Sequence, residues 1–160
     1  MSTTKTTGIP HDFGPKWQRQ MVRQAASDMH AVRELAGLPP MPPIVCLCGS
    51  TRFVEAFNRS RKILTEAGEI VLSIEVVTTQ AREDDPQHAD PDLKARLDEL
   101  HRRKIDLADR VLVVSDPTGY FGESTTGEIR YALEHGKPVK YAVAASEKRA
   151  RDLGLIGGAA

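Results

Sequence analysis

From residue 44 onward, short apolar runs alternate with segments whose apolar residues recur at helical spacing. This pattern predicts strands at about 44–48, 70–74, 110–115 and 138–143, and helices at about 53–67, 92–108, 125–135 and 146–153. Strands that alternate with helices form parallel sheets through right-handed crossovers. The chain is therefore predicted to have an α/β fold, a doubly wound Rossmann-like parallel sheet of four to five strands, ordered 2-1-3-4 where the pattern is readable.

The residues before this core form a segment of their own. Apolar residues at helical spacing predict an amphipathic helix from Trp17 to Ala36, and the proline-rich stretch 37–43 ends it. We accordingly divide the chain into a tail, helix and linker at 1–43, a core domain at 44–145, and a C-terminal tail at 146–160. The apolar face of this extra N-terminal helix is available for packing on the core or for a dimer contact.

Composition narrows the classes of function. A chain of 160 residues supports one domain with a real core. The 22 basic and 22 acidic residues balance, which argues against a nucleic-acid-binding surface. We find neither an apolar stretch of membrane-spanning length nor a secretory signal pattern, so we expect a cytoplasmic protein with no membrane or nucleic-acid partner.

Cys46 and Cys48 are the only cysteines in the chain. Residues two apart on a strand point to the same face, and their separation of roughly 6.5–7 Å is long for an unstrained disulfide. We see no third or fourth ligand at metal-binding spacing along the chain, so we expect no metal and interpret both thiols as small buried side chains.

Two loops have the composition of a ligand site. Cys48-Gly49-Ser50-Thr51-Arg52 follows an apolar run and precedes a helical pattern, an arrangement that presents backbone N–H groups to a phosphate. The Arg52 guanidinium adds a cationic fork suited to phosphate oxygens. The motif is neither a Walker loop nor a dinucleotide fingerprint. A second Gly- and Ser-rich loop follows the run 111–114, and in a parallel sheet both loops lie at the carboxyl ends of strands.

The second loop leads to a carboxylate, Glu128, which we predict in the first turn of the following helix. A helix start offers free N–H donors and partial positive charge, which favours an anionic or hydroxyl-rich ligand. Glu128 is therefore either a chemical group beside that ligand or a capping group that complements the helix dipole.

At these residues the chain resembles the nucleoside 2-deoxyribosyltransferase superfamily, and within it the 2'-deoxynucleoside 5'-monophosphate N-glycosidases. The resemblance covers about 44–143. Cys48–Arg52 is similar to the family's Cys-Gly-Ser-x-Arg phosphate loop, and Ala108–Val114 to its Ala-Asp strand entry. Gly127–Ala132, followed by Gly136-Lys137-Pro138, is similar to its nucleophile helix and the next strand.

The resemblance implies cleavage of the base–sugar bond of a nucleoside 5'-monophosphate by hydrolysis or transfer. Glu128 would attack the anomeric carbon, or stabilise an oxocarbenium-like centre there. The implied substrate-binding residues come from both loops: Gly49, Ser50, Thr51, Arg52, Tyr120, Phe121, Gly122 and Ser124. Glu75, just after the second strand, is a further candidate near the pocket. The resemblance implies no cofactor, and a homodimer.

Tyr120 and Phe121 admit two interpretations. Their rings either stack on the base or pack the loop onto the core.

One position departs from the family. The family often has an Asp eight residues before the Ala-Asp aspartate, and this chain has His101 there. His101 lies on the apolar stripe of its predicted helix, so we expect it to face the sheet. Because an imidazole titrates near neutrality, it is a candidate catalytic acid for the departing base; the alternative is a core histidine.

Two other functions compete. A nucleotide-binding or sensing domain of the same fold without catalysis is favoured by the change to His101 and opposed by the presence of Glu128. A phosphoribohydrolase of the cytokinin-activating type is disfavoured because its Pro-Gly-Gly-x-Gly-Thr segment is absent from the sequence.

Overall fold

A computed structural model describes residues 15–74 and 91–157 of the chain. The elements in chain order are α1 Pro15–Leu35, β1 Ile44–Gly49, α2 Val54–Glu66, β2 Ile70–Ser73, α3 Pro91–Leu107, β3 Arg110–Val114, α4 Glu123–Glu134, β4 Val139–Tyr141 and α5 Ala144–Asp152. The chain separates into two compact units, residues 1–41 and 42–160. No helix in the described ranges is long and apolar enough to cross a membrane.

The first unit contains the predicted extra helix, which is confirmed as α1. The helix ends at Leu35, and Gly37 follows with a φ of 66°, a left-handed conformation that glycine adopts without steric cost. The Arg33 guanidinium donates two hydrogen bonds, of 3.0 and 2.8 Å, to the carbonyl of Pro39. These bonds fix the proline-rich segment against the last turn of the helix.

The second unit is built on a four-stranded sheet. All of its strands are parallel and lie in the order β2-β1-β3-β4, which confirms the predicted fold class and strand order. The two central strands end in register, with Cys48 beside Val113 and Gly49 beside Val114. The loops that follow β1 and β3 therefore start from adjacent points at the carboxyl edge of the sheet.

Helices cover both faces of the sheet, as a doubly wound fold requires. On one face Val45 and Leu47 of β1 pack with Phe57 and Leu64 of α2. On the other, buried residues of α3, α4 and α5 pack against alternate residues of the central strands: Cys46, Cys48, Ile105, Val111, Val113, Ile129, Ala132 and Ala150. The period-2 alternation of β1 thus sends both cysteines to the face that α3 and α4 cover.

Asp109 fixes the start of the central strands. Its carboxylate accepts a 2.7 Å hydrogen bond from the backbone N–H of Ile44, and its own N–H donates to the Ile44 carbonyl at 2.8 Å. This pair of bonds ties Asp109, at the entry to β3, to the start of β1.

The C-terminal segment packs more closely than its assignment to a tail implied. Helix α5 begins at Ala144, and its Ser146 and Ala150 have no exposed surface. The Ser146 hydroxyl lies 2.6 Å from that of Ser115, at the end of β3. One face of α5 therefore packs on the core, because the small side chains of Ser146 and Ala150 fit directly against it.

Candidate active site

The loop after β1 has the predicted strand–Gly-Ser–helix geometry. A Cβ on Gly49 would lie 2.3 Å from the Val114 carbonyl oxygen, so only glycine allows β1 and β3 to approach this closely. The turn closes with a 3.0 Å bond from the Phe53 N–H to the Ser50 carbonyl. The Arg52 side chain donates to the Ser50 hydroxyl at 3.0 Å, so the two side chains predicted to bind phosphate lie together.

The loop after β3 meets the first loop through Tyr120. The guanidinium carbon of Arg52 lies 4.9 Å from the Tyr120 ring centroid, and the Phe53 ring contacts the Tyr120 ring edge-on at 6.5 Å. Tyr120 is 37% exposed, whereas Phe121 is fully buried. The two predicted loops therefore lie side by side, and Phe121 packs the loop onto the core with no ring face open to a base.

Arg149 is a member of this group that the sequence analysis missed. Its guanidinium carbon lies 5.2 Å from the ring centroids of both Tyr120 and Phe121. The signal was hidden because Arg149 was assigned to a tail. With Arg52 on one loop and Arg149 on α5, two guanidinium groups lie close to the same tyrosine.

Glu128 lies in the second turn of α4, so the predicted first-turn position is wrong. The helix starts at Glu123 after the cap residue Gly122, and the Thr126 N–H already donates to the Gly122 carbonyl at 3.0 Å. The first-turn carboxylate that complements the helix dipole is Glu123. The capping alternative for Glu128 therefore does not hold.

His101 faces the sheet, as predicted, and lies beside Glu128. The imidazole is 5% exposed, and its Nε2 is 3.7 Å from Glu128 Oε1. The same nitrogen lies 3.3 Å from the Sγ of Cys48 and 3.9 Å from the Sγ of Cys46. An imidazole, a carboxylate and two thiols thus share one buried point at the carboxyl end of β1.

The environment shifts the proton affinity of both catalytic candidates upward. Burial raises the pKa of Glu128 to about 7, although nearby His101 and a hydrogen bond with Cys48 oppose the rise. Burial alone would lower the pKa of His101, but the hydrogen bond to Cys46 and the charge of Glu128 together raise it. Perturbed groups of this kind are concentrated at functional sites.

The two thiols are buried and free, as the sequence indicated. Burial raises the pKa of Cys48 well above its usual value. The hydrogen bond from Cys48 lowers the pKa of Cys46 to about 6 against the effect of burial. The sequence shows no third metal ligand at a short spacing from the two cysteines, but the fold brings one close to them. Within the described ranges, the ligand atoms of Cys46, Cys48 and His101 lie within 4.8 Å of one another.

The other residues predicted to bind substrate lie in the two loops or outside the described ranges. Gly122 caps α4 and is partly buried, Ser124 is exposed in its first turn, and Thr51 is exposed in the first loop. Glu75 lies outside the described residues. Asp98 lies on α3 with 45% of its side chain exposed, and its negative charge also raises the pKa of Glu128.

Comparisons of the chain with protein-family models, curated proteins and solved structures find no match.

Proposed function

We propose that this chain cleaves the N-glycosidic bond of a nucleoside 5'-monophosphate. The observation that carries the proposal is the pairing of the Glu128 carboxylate with the His101 imidazole at 3.7 Å. The pair lies where β1 leads into the Gly-Ser-Thr-Arg loop. A carboxylate and a proton donor are the two groups that glycoside cleavage requires.

Glu128 acts on the sugar in this mechanism. Its ionised carboxylate attacks the anomeric carbon, or neutralises the positive charge that develops there, as the bond to the base nitrogen breaks. The electron pair of that bond leaves with the base. Water, or a second base, then takes the glycosyl group.

His101 acts on the leaving base. Its protonated Nε2 donates a proton to the base as the bond breaks, and the raised pKa of the imidazole keeps the protonated form populated near neutrality. The fold places this donor on α3 and the carboxylate on α4, so the two groups are fixed by different elements on the same face of the sheet.

The substrate phosphate is bound by the loop after β1. Ser50 and the guanidinium of Arg52 supply donors, and backbone N–H groups at the start of α2 add to them. Arg149, 5.2 Å from the Tyr120 ring, adds positive charge on the same side. This charge favours a nucleotide over a nucleoside, and the exposed part of Tyr120 is available to the base.

A direct test is the release of free base from a panel of ribo- and deoxyribonucleoside monophosphates, with binding of the same compounds measured by thermal shift. Base release from a monophosphate, and much less from the matching nucleoside, would support the proposal. Stabilisation by nucleotides without any base release would instead select the alternative, a nucleotide-binding domain without catalysis.

A further inference from the structure

Two thiol sulfur atoms and one imidazole nitrogen lie close together in the interior of the second unit. Both thiols lie on the same face of β1, and His101 Nε2 is 3.3 Å from the Sγ of Cys48 and 3.9 Å from that of Cys46. All three ligand atoms lie within 4.8 Å of one another. They come from a central strand and a helix packed on it, so the backbone holds them in place.

These separations match those of a metal site. Zinc–sulfur bonds of about 2.3 Å and zinc–nitrogen bonds of about 2.0 Å place the ligand atoms of a tetrahedral site roughly 3.5–3.8 Å apart. The observed thiol–imidazole distances of 3.3 and 3.9 Å fall on either side of that range. Side-chain adjustment within the 4.8 Å spread of these three atoms would bring both sulfur atoms and the nitrogen to bonding distance of one ion.

A further donor lies beside the imidazole. Glu128 Oε1 is 3.7 Å from His101 Nε2. Its second oxygen, Oε2, is buried and has no hydrogen-bond partner among the described residues. Buried polar atoms without partners call for an explanation, of which an ion is one.

The donor set also selects the kind of metal. Two thiols and an imidazole favour zinc and similar thiophilic divalent ions over magnesium or calcium, which prefer oxygen ligands. A dication at this point would offset the charge of buried thiolates and a buried carboxylate, which is otherwise costly. Glu128, with 14% of its side chain exposed, is the most accessible of the four groups.

We propose that Cys46, Cys48 and His101 bind a zinc ion, with Glu128 as the fourth ligand. The zinc site is argued independently of the proposed glycosidase activity, but the two cannot operate at the same time. A carboxylate bound to zinc cannot attack an anomeric carbon, and a His101 Nε2 bound to zinc cannot carry the proton for the leaving base. Zinc occupancy and the proposed glycosidase chemistry therefore exclude each other.

The test uses the full chain, stripped of metal with a chelator and then titrated with zinc against a chromophoric chelator. One equivalent is expected to bind. Titration with cobalt, which takes the same geometry, is expected to give a thiolate-to-cobalt charge-transfer band. Cys46→Ser, Cys48→Ser and His101→Asn are each expected to weaken zinc binding by at least about a hundredfold, and Glu128→Gln by about tenfold.

His135→Gln is the matched control. His135 is a partly buried imidazole that stacks on Tyr131, with 3.9 Å between the ring centroids. The His135→Gln substitution should leave the zinc affinity unchanged. Failure to bind one equivalent, a cobalt complex without the thiolate band, or full affinity in His101→Asn would overturn the site. Full affinity in Glu128→Gln would remove only the fourth ligand.

A second measurement avoids the variants altogether, in case a serine substitution prevents folding. The rate at which a thiol reagent modifies Cys46 and Cys48 in the unaltered chain is compared with and without one equivalent of zinc. Slowing by at least about tenfold supports thiolate ligation. An unchanged rate contradicts it.

Discussion

The carboxylate of Glu128 lies 3.7 Å from the imidazole of His101, and each group changes the proton affinity of the other. The positive imidazole lowers the pKa of the carboxyl, and the negative carboxylate raises that of the imidazole. Because the groups are coupled, their protons are lost in steps that belong to the pair.

Replacing Glu128 with Gln should abolish most base release while leaving nucleotide binding nearly intact. An amide neither attacks the anomeric carbon nor neutralises its charge, so we expect turnover to fall by on the order of a thousandfold or more. Glu123→Gln is the matched control, because Glu123 is the exposed first-turn carboxylate of the same helix. Turnover in the Glu128 variant within tenfold of the parent would remove this residue from the mechanism.

The rate of base release should depend on pH in a bell-shaped manner. Activity should rise as Glu128 ionises, with an acidic limb near pH 7, and fall again as His101 loses its proton above its usual pKa. His101→Asn removes the group responsible for the alkaline limb. Because His101 lowers the pKa of Glu128, the same variant should move the acidic limb to higher pH. An unchanged profile in this variant would argue against both roles.

Glu128 should also make folding pH-dependent. Its pKa is about 7 in the folded chain against 4.5 as the ordinary value, so the stability linked to the protonated form is complete below about pH 4.5 and is lost as pH rises through 7. The raised pKa of His101 acts in the same direction. Relative to the parent, Glu128→Gln should therefore gain roughly 1–3 kcal/mol in unfolding free energy between pH 5 and 8. Urea unfolding at the two pH values measures this difference, and Glu123→Gln should show little of it.

Arg52 should discriminate nucleotides from nucleosides. Loss of one charge-assisted contact in Arg52→Ala should weaken monophosphate binding by roughly 1.5–3 kcal/mol and nucleoside binding much less. Calorimetric titration with both ligands measures the two effects. Arg59→Ala, at an exposed arginine on α2, is the control. An equal loss for nucleoside and nucleotide would assign Arg52 to packing against Tyr120 instead.

Two glycines should respond oppositely to alanine. A Cβ at Gly49 would collide with the Val114 carbonyl, so we expect Gly49→Ala to destabilise the fold by about 1–3 kcal/mol. Gly127 lies within α4, and a Cβ there meets nothing within 4 Å. Gly127→Ala should therefore stabilise the fold by about 0.5–1 kcal/mol. Denaturant unfolding of both variants tests the pair, and a neutral Gly49→Ala would show that β1 and β3 can separate.

The sheet could be predicted from the sequence because each strand and helix is marked by a local pattern of residues. Apolar runs of strand length and helical periodicity mark the elements, and their alternation restricts the topology to parallel crossovers. The position of Glu128 was wrong because Glu123 and Ser124 have the composition of a loop, yet they form the start of α4. A shift of two residues in the helix start changed the chemical interpretation of that carboxylate.

The contacts of the site could not be predicted in the same way. Cys48 and His101 are 53 residues apart, and only the packing of α3 on the cysteine face of β1 brings them to 3.3 Å. Metal-site rules based on short spacings along the chain do not detect such a pair. Arg149 was missed for a related reason: its partner Tyr120 lies on another element, and no local pattern links the two.

The packing of the Tyr120 loop against α5 has a consequence for folding during translation. Gly119 has a φ of 76°, and a Cβ there would lie 2.3 Å from the Ala145 backbone, so this loop rests directly on the start of α5. Helix α5 ends only at Asp152. During translation the sheet strands leave the ribosome before α5, and the loop has nothing to rest on until α5 emerges. The Tyr120 loop is therefore placed only after α5 has been made, and a nascent chain that stops before α5 would have the sheet without a properly placed Tyr120.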